Sequence, residues 1–164
     1  MTETEWINQT QADIARATAN YRGPKFFVAQ ALCLTRLTGA RFAFVTLRDA
    51  RHAGQGYSLV FVDGANPKAP VSYQLQNTPC ASVLAGNAVS MPCDVQQQFP
   101  AATGVYSGYC GLPLPGSDGQ VIGLLAVADD RALNRLERMQ GLLTLLVGRT
   151  AAELECHMLR GNAI

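Results

Sequence analysis

Residues 109–128, YCGLPLPGSDGQVIGLLAVA, decide the fold of this chain. Two apolar runs flank GSDG at 116–119, and an Asp-Gly pair between apolar runs is a strong signal for a β-hairpin. The second run is apolar throughout 121–128, which is typical of a central strand covered on both faces. The stretch therefore predicts an antiparallel hairpin with helices on both sides of its sheet.

Three further strands are predicted before the hairpin. Residues 41–48 (RFAFVTLR) and 57–62 are rich in aromatic and branched side chains, and residues 71–75 alternate in polarity. The turn at 52–56 and the loop at 64–70 are short connections, which join antiparallel neighbours. We therefore predict an α+β fold with a central antiparallel sheet of about five or six strands and helices on both faces.

Two helices are predicted before the first strand. The N-terminal segment 1–22 is expected to hold a weak, mostly solvated helix over 10–21, because its apolar residues are sparse. Gly23-Pro24 ends this helix, and Pro24 opens a stronger one over 25–37, since proline is tolerated in a first helical turn.

Shorter helices are predicted between the third strand and the hairpin. Thr78 is a good N-cap and is followed by proline, which indicates a helix over 79–84. Residues 89–108 are expected to be irregular because they are interrupted by proline and glycine, with a second short helix over 95–99.

A long helix over 131–159 ends the predicted fold, with Asp129 or Asp130 as its cap. Its length is about 43 Å at ~1.5 Å per residue, which exceeds the width expected of the sheet. The overhang must be solvated or packed on another chain. We expect the main domain to span 23–160, with a tail over 161–164.

Composition excludes several classes of function. The chain has 164 residues, 15% of them charged, with a net charge of +1 and no basic run, so no nucleic-acid partner is expected. It shows neither a signal-peptide pattern nor an apolar run of about 20 residues, which predicts a cytoplasmic protein without a membrane partner. Its five cysteines are then reduced thiols, and their spacing indicates no metal site.

Several runs, taken in order, resemble the GAF domain family of bacterial sensors. They are KFFVAQAL at 25–32, YQLQNTPC at 73–80 followed by VLAG at 83–86, Phe99-Pro100, the two hairpin strands, and RTAAELE at 149–155. The resemblance covers residues 26–155, and it rests on the order and spacing of the runs rather than on any single one.

The resemblance implies a sheet with the first and last helices on one face and a pocket formed by the short helix and loops on the other. It also implies a regulatory domain that senses a small molecule in signal transduction, pairs as a homodimer, and has an output partner such as a kinase or cyclase. No cofactor is identified, because the Cys-His pair of bilin-binding relatives has no counterpart at the pocket helix. No enzymatic activity is expected.

A ligand-binding site is predicted from aromatic side chains and a few polar groups near the Thr78 turn, a composition that ligand pockets share. An ordinary core is the alternative for the phenylalanines. The predicted ligand-binding residues are Phe44, Phe61, Tyr73, Thr78, Cys80, Ser82, Asp94, Phe99, Tyr106 and Tyr109.

A thiol-dependent reductase is an alternative function. Cys80 follows a helix start, where exposed N–H groups would lower the pKa of a thiol, although cysteine is also a common small core residue. Cys80 matches one cysteine of the free methionine sulfoxide reductases, another GAF branch, but their other two positions hold Pro70 and residues 101–104 here. Cys93 and Cys110 are the available substitutes.

A third alternative is a domain that binds no ligand and acts only in dimerisation or partner binding. In either non-enzymatic case the terminal helices are expected to form the interface. The predicted interface residues are Phe27, Leu34, Leu136, Met139, Leu143, Leu146, Thr150 and Leu154.

Overall fold

The computed structural model describes residues 1–161 and contains five α-helices and seven β-strands in this range. The helices are α1 (Glu3–Thr18), α2 (Pro24–Thr38), α3 (Pro79–Leu84), α4 (Val95–Gln98) and α5 (Leu136–Leu159). The strands are β1 (Phe42–Arg48), β2 (Gln55–Asp63), β3 (Asn66–Lys68), β4 (Ser72–Gln74), β5 (Val89–Met91), β6 (Gly108–Pro115) and β7 (Val121–Asp129). Residues 162–164 of the predicted tail lie outside the described range.

All strands pair antiparallel in one sheet with the order β3-β2-β1-β7-β6-β5, and β4 also pairs with β2. The α+β class and the hairpin of β6 and β7 are confirmed, with Leu112 opposite Leu125. Strands β3 and β5 were not predicted, because each has only three residues within a segment of loop composition.

Alternation along the central strands creates two different faces. Ala43 and Val45 of β1 and Leu125 of β7 point to a face covered by α2, α5 and α1, called the helix face below. Phe44 of β1 and Leu124 of β7 point to the other face, the cavity face, which α3, α4 and residues 92–107 cover. The predicted placement of helices on both faces is therefore confirmed.

The first helix is longer and better packed than predicted. It begins at Glu3 because Thr2 and Glu5 form a capping box, in which Glu5 N donates to Thr2 Oγ1 at 3.1 Å and Thr2 N donates to Glu5. Ile14 is 1% exposed, so one side of the helix packs on the core, whereas half of its sixteen residues are exposed as expected. The close approach of α1 to α5 explains this burial, since Ile7 lies where Gly141 has no side chain.

The last helix begins later than predicted, at Leu136, because Arg135 adopts a left-handed conformation with φ of 55°. Asp129 and Asp130 are not its caps. Asp129 accepts hydrogen bonds from the backbone N–H groups of Arg41 and Arg131, both at 3.0 Å, and Asp130 accepts from Arg41 Nη1 at 2.9 Å. These carboxylates fix the end of β7 to the start of β1.

The side chains predicted for a dimer interface lie within the monomer instead, which corrects that assignment. Seven are buried, and Leu136 is partly buried against the same core. The seven are Phe27, Leu34, Met139, Leu143, Leu146, Thr150 and Leu154. The apolar stripe of an amphipathic helix marks the face that the helix buries. The apolar stripes of α2 and α5 are both buried against the chain's own sheet.

None of the helices within residues 1–161 is both long and apolar enough to cross a membrane.

Candidate functional site

A cavity of about 420 Å³ opens on the cavity face, between the sheet and residues 92–107, which we call the cavity loop. Small-molecule sites typically have volumes of about 300–1,000 Å³. Strands β1, β2 and β4 form one wall, the start of α3 forms the end, and residues 101–106 form the opposite wall.

Six of the ten predicted ligand-binding residues line this cavity. They are Phe44, Phe61, Tyr73, Thr78, Cys80 and Tyr106. Because they come from three strands, one helix and one loop, sequence alone does not show that they meet.

The other four predicted residues do not line the cavity. Tyr109 is fully buried beneath it, with its hydroxyl 3.3 Å from Cys80 Sγ, and Phe99 packs against the same hydrophobic cluster. Asp94 is the N-cap residue of α4 in a left-handed conformation with φ of 58°, and its backbone N donates to Ser107 Oγ. Ser82 is half-buried on α3 and is absent from the lining.

Sequence reasoning missed eight residues of the lining. They are Thr46, Ser58, Val71, Gln74, Pro79, Ala101, Ala102 and Val105. Alternation from Phe44 would have indicated Thr46, and alternation from Tyr73 would have indicated Val71. The cavity-loop residues carry no such signal, because the loop is irregular.

Stacked aromatic rings form the inner end of the cavity. The rings of Phe44 and Phe61 lie 5.3 Å apart at 22°, and those of Phe44 and Tyr106 lie 6.1 Å apart at 12°. Tyr109 also packs against Phe44 at 6.2 Å. Its ring fits along β6 because Gly111 has no side chain; an added Cβ there would lie 2.7 Å from the Tyr109 ring.

Polar groups are few in the cavity. Tyr73 donates its hydroxyl proton to Thr46 Oγ1 at 2.9 Å. Tyr106 lines the cavity, and its hydroxyl makes no hydrogen bond within residues 1–161. Burial raises the pKa of both tyrosines, so both are neutral phenols at physiological pH.

Thr78 and Cys80 lie at the turn into α3. Thr78 Oγ1 accepts a hydrogen bond from Ala81 N at 3.2 Å, as its predicted capping role requires. Cys80 is 2% exposed, and burial raises the pKa of its thiol despite hydrogen bonds with tyrosine hydroxyls. The alternative of a small core residue therefore fits Cys80 better than that of a reactive thiol, because burial has the largest effect on its pKa.

The other two cysteines of the predicted redox set are not placed as partners of Cys80. Cys110 packs in the core of the helix face, whereas Cys80 packs in the cluster of the cavity face, so the sheet separates them. Cys93 is exposed in the cavity loop. All five cysteines are free thiols, and no three His, Cys, Asp or Glu side chains within the described range are grouped to bind a metal.

The cavity loop is fixed at its ends and contacts the chain just before α5. Ser107 N donates to Asp129 O at 2.8 Å, and Leu133 N donates to Pro92 O at 2.7 Å. Leu133 is itself buried in the core of the helix face. The wall of the cavity is thereby connected through hydrogen bonds to the start of the last helix.

The solved structures with a similar fold include several GAF domains. The GAF domain of an Acinetobacter phosphoenolpyruvate-protein phosphotransferase matches with a TM-score of 0.75 at 15% identity, over 95% of this chain and 97% of that one. The GAF domain of A. aeolicus nlh2, in an inactive state, matches with a TM-score of 0.70 at 10% identity, over 95% and 99% of the two chains. The chain therefore has the GAF domain fold.

An enzyme is also among the similar structures. The free methionine-R-sulfoxide reductase of Neisseria meningitidis, solved with its substrate, matches with a TM-score of 0.64 at 19% identity, over 94% of this chain and 91% of that one. No protein-family model matches the sequence, and no curated protein matches it. At these identities the similarity establishes the fold but not the function, which has to be argued from the residues of the site.

Proposed function

We propose that this chain is a regulatory domain that senses a small molecule in its cavity. The observation that carries the proposal is the cavity itself, which is large enough for a metabolite and has an unpaired hydroxyl, that of Tyr106. The structural similarity to GAF domains from a phosphotransferase and from other sensors supports a regulatory role over a catalytic one.

The proposed signal passes from the cavity loop to α5. A ligand against Val105 and Tyr106 would favour one arrangement of the loop, and Pro92 would transmit this preference to Leu133 and the start of α5. A ligand shifts such an equilibrium only by the difference between its affinities for the two arrangements. The ligand must therefore bind one arrangement of the loop more tightly than the other.

A thermal-shift screen of charged and neutral metabolites tests the proposal, with Ala101→Trp filling the cavity and Ala53→Trp as the matched control on the exposed β1–β2 turn. A genuine ligand should raise the Tm of the wild-type protein and of Ala53→Trp but not of Ala101→Trp. It should also slow hydrogen exchange in residues 92–107 and 131–140. Hits that persist in Ala101→Trp, or that leave exchange in the loop unchanged, would refute the proposal.

A homodimer is part of the same proposal, through a different surface from the predicted one. Leu145, Gly148, Ala152 and Leu159 are exposed and follow one another along α5 at spacings of three, four and seven residues. This is the spacing by which two helices pack along a shared stripe, and no atom lies within 4 Å of a Cβ added at Gly148.

Sedimentation measures this part of the proposal. Leu145→Glu should convert a dimer to a monomer, whereas Glu137→Gln, a change of similar size on an exposed position of α5, should not. A wild-type protein that is monomeric at high micromolar concentration would refute the dimer and leave ligand sensing untouched.

The thiol reductase remains a second candidate because Cys80 lines the cavity and a reductase shares the fold. The raised pKa of Cys80 and the separation of Cys80 from Cys110 disfavour it. Turnover of free methionine sulfoxide that disappears in Cys80→Ser would establish the enzyme in place of the sensor.

A further inference from the structure

The cavity lining contains no charged side chain. None of its fourteen residues is Asp, Glu, Lys, Arg or His. Its ionisable groups are Tyr73, Tyr106 and Cys80, and burial raises the pKa of each, so each is neutral near pH 7. The surface that a ligand would contact is therefore electrically neutral.

Two charged groups of the adjoining strands are directed away from the cavity and paired. Asp49 accepts hydrogen bonds from Ser72 Oγ and Arg51 N, and Ser72 points away from the cavity because it alternates with Tyr73 on β4. Arg41 lies over the ring of Phe42 and binds Asp63 and Asp130. Neither group offers a counter-ion to a charged ligand in the cavity.

The rim of the cavity is apolar as well. Val71 is 55% exposed and Val105 is 48% exposed, and both line the cavity, one from the segment before β4 and the other from the cavity loop. Exposed aliphatic side chains at the mouth of a concave apolar surface favour contact with an apolar solute over contact with water.

We infer that the ligand of this cavity is an uncharged, mainly apolar ring compound with one hydroxyl or carbonyl group that bonds to the Tyr106 hydroxyl. The inference rests on the proposed function and specifies its ligand. A charged molecule would lose its hydration here without gaining a charged partner from the lining, which is costly in an apolar environment. The stacked rings of Phe44 and Phe61 provide the apolar contact.

Two fluorescent probes that differ by one charge test the inference. N-phenyl-1-naphthylamine is neutral, and 8-anilino-1-naphthalenesulfonate has the same ring system with a sulfonate. The neutral probe should bind saturably at one site per chain, and the sulfonate should bind that site at least about tenfold more weakly, which is about 1.4 kcal/mol. Ala101→Trp, which fills the cavity, identifies the signal that comes from this site.

A second pair of variants locates the apolar contact. Val105→Asp should weaken binding of the neutral probe by about tenfold, because it places a charge at the rim and removes an apolar contact. Tyr21→Asp is the control, since Tyr21 is 43% exposed and lies outside both the cavity and the exposed stripe of α5, and it should change binding less than about twofold.

Each outcome bears on a different statement. If the sulfonate binds the Ala101→Trp-sensitive site as tightly as the neutral probe, the inference on ligand class is overturned. A charged metabolite that passes the thermal-shift screen overturns the ligand class while leaving the sensing proposal in place. If neither probe loses any signal in Ala101→Trp, the inference is overturned, and only the metabolite screen then decides the sensing proposal.

Discussion

The two faces of the sheet are covered by different kinds of structure. On the helix face, α2 and α5 have 15 and 24 residues and bury a continuous core. On the cavity face, α3 and α4 have six and four residues, and irregular chain completes the cover. Long helices fill the space above a sheet, whereas short helices and loops leave gaps between their side chains and the strands. The same sheet thus supports a packed core and a cavity.

The largest predicted effect comes from two adjacent leucines of β7. Leu125 points to the helix face and Leu124 to the cavity face, and both are buried. We expect Leu125→Ala to lower the free energy of unfolding by about 4 kcal/mol and Leu124→Ala by about 2 kcal/mol, because the thinner cover relaxes into the space left by the side chain. Urea unfolding measures both values, and equal losses would contradict the difference between the faces.

The next effect is confined to the cavity face. Thr78→Ala removes the cap of α3 and should lower the free energy of unfolding by about 1 kcal/mol. Thr78→Ser keeps the hydroxyl and should restore most of the loss. Hydrogen exchange should increase first in α3 and leave α5 unchanged; faster exchange in α5 would show that the two faces unfold together.

A pH dependence is expected at the wall formed by β4. The hydrogen bond from Ser72, followed by that from Arg51 N, lowers the pKa of Asp49 below its usual value of about 3.9. The ionised carboxylate therefore stabilises the fold above about pH 4, and this contribution is lost as the pH falls through the folded-state pKa.

Asp49→Asn measures this contribution. The urea midpoint of the wild-type protein should exceed that of the variant at pH 7, and the difference should shrink as the pH falls below about 4. A difference that does not depend on pH would show that Asp49 acts through shape rather than charge.

The last prediction concerns which cysteines react with a thiol reagent in the native protein, and it involves no change in stability. Cys93 and Cys156 are exposed, whereas Cys33, Cys80 and Cys110 are buried. Iodoacetamide should modify two cysteines in the native protein and all five in denaturant, as read by mass spectrometry. Native modification of Cys80 at the rate of Cys93 would show that the cavity admits the reagent and that the thiol is reactive.

The elements with strong local signals could be predicted from the sequence. The Asp-Gly turn and apolar run predict β6 and β7, Thr78-Pro79 predicts α3, and Pro24 predicts the start of α2. These features work because hairpin turns, caps and periodic apolar faces depend on residues a few positions apart. The resemblance to GAF domains added the expectation that the first and last helices cover one face of the sheet and that the pocket lies on the other.

Which side chains face the cavity and which are buried in the core depends on the packing of the whole chain. Phe27 and Leu154 were predicted at an interface but are buried in the monomer, and Cys80 has a raised pKa because its thiol is buried. Burial and desolvation arise from contacts between residues far apart in sequence, and no local pattern contains them. The uncharged lining of the cavity, from which the ligand class is inferred, forms only when these distant residues come into contact.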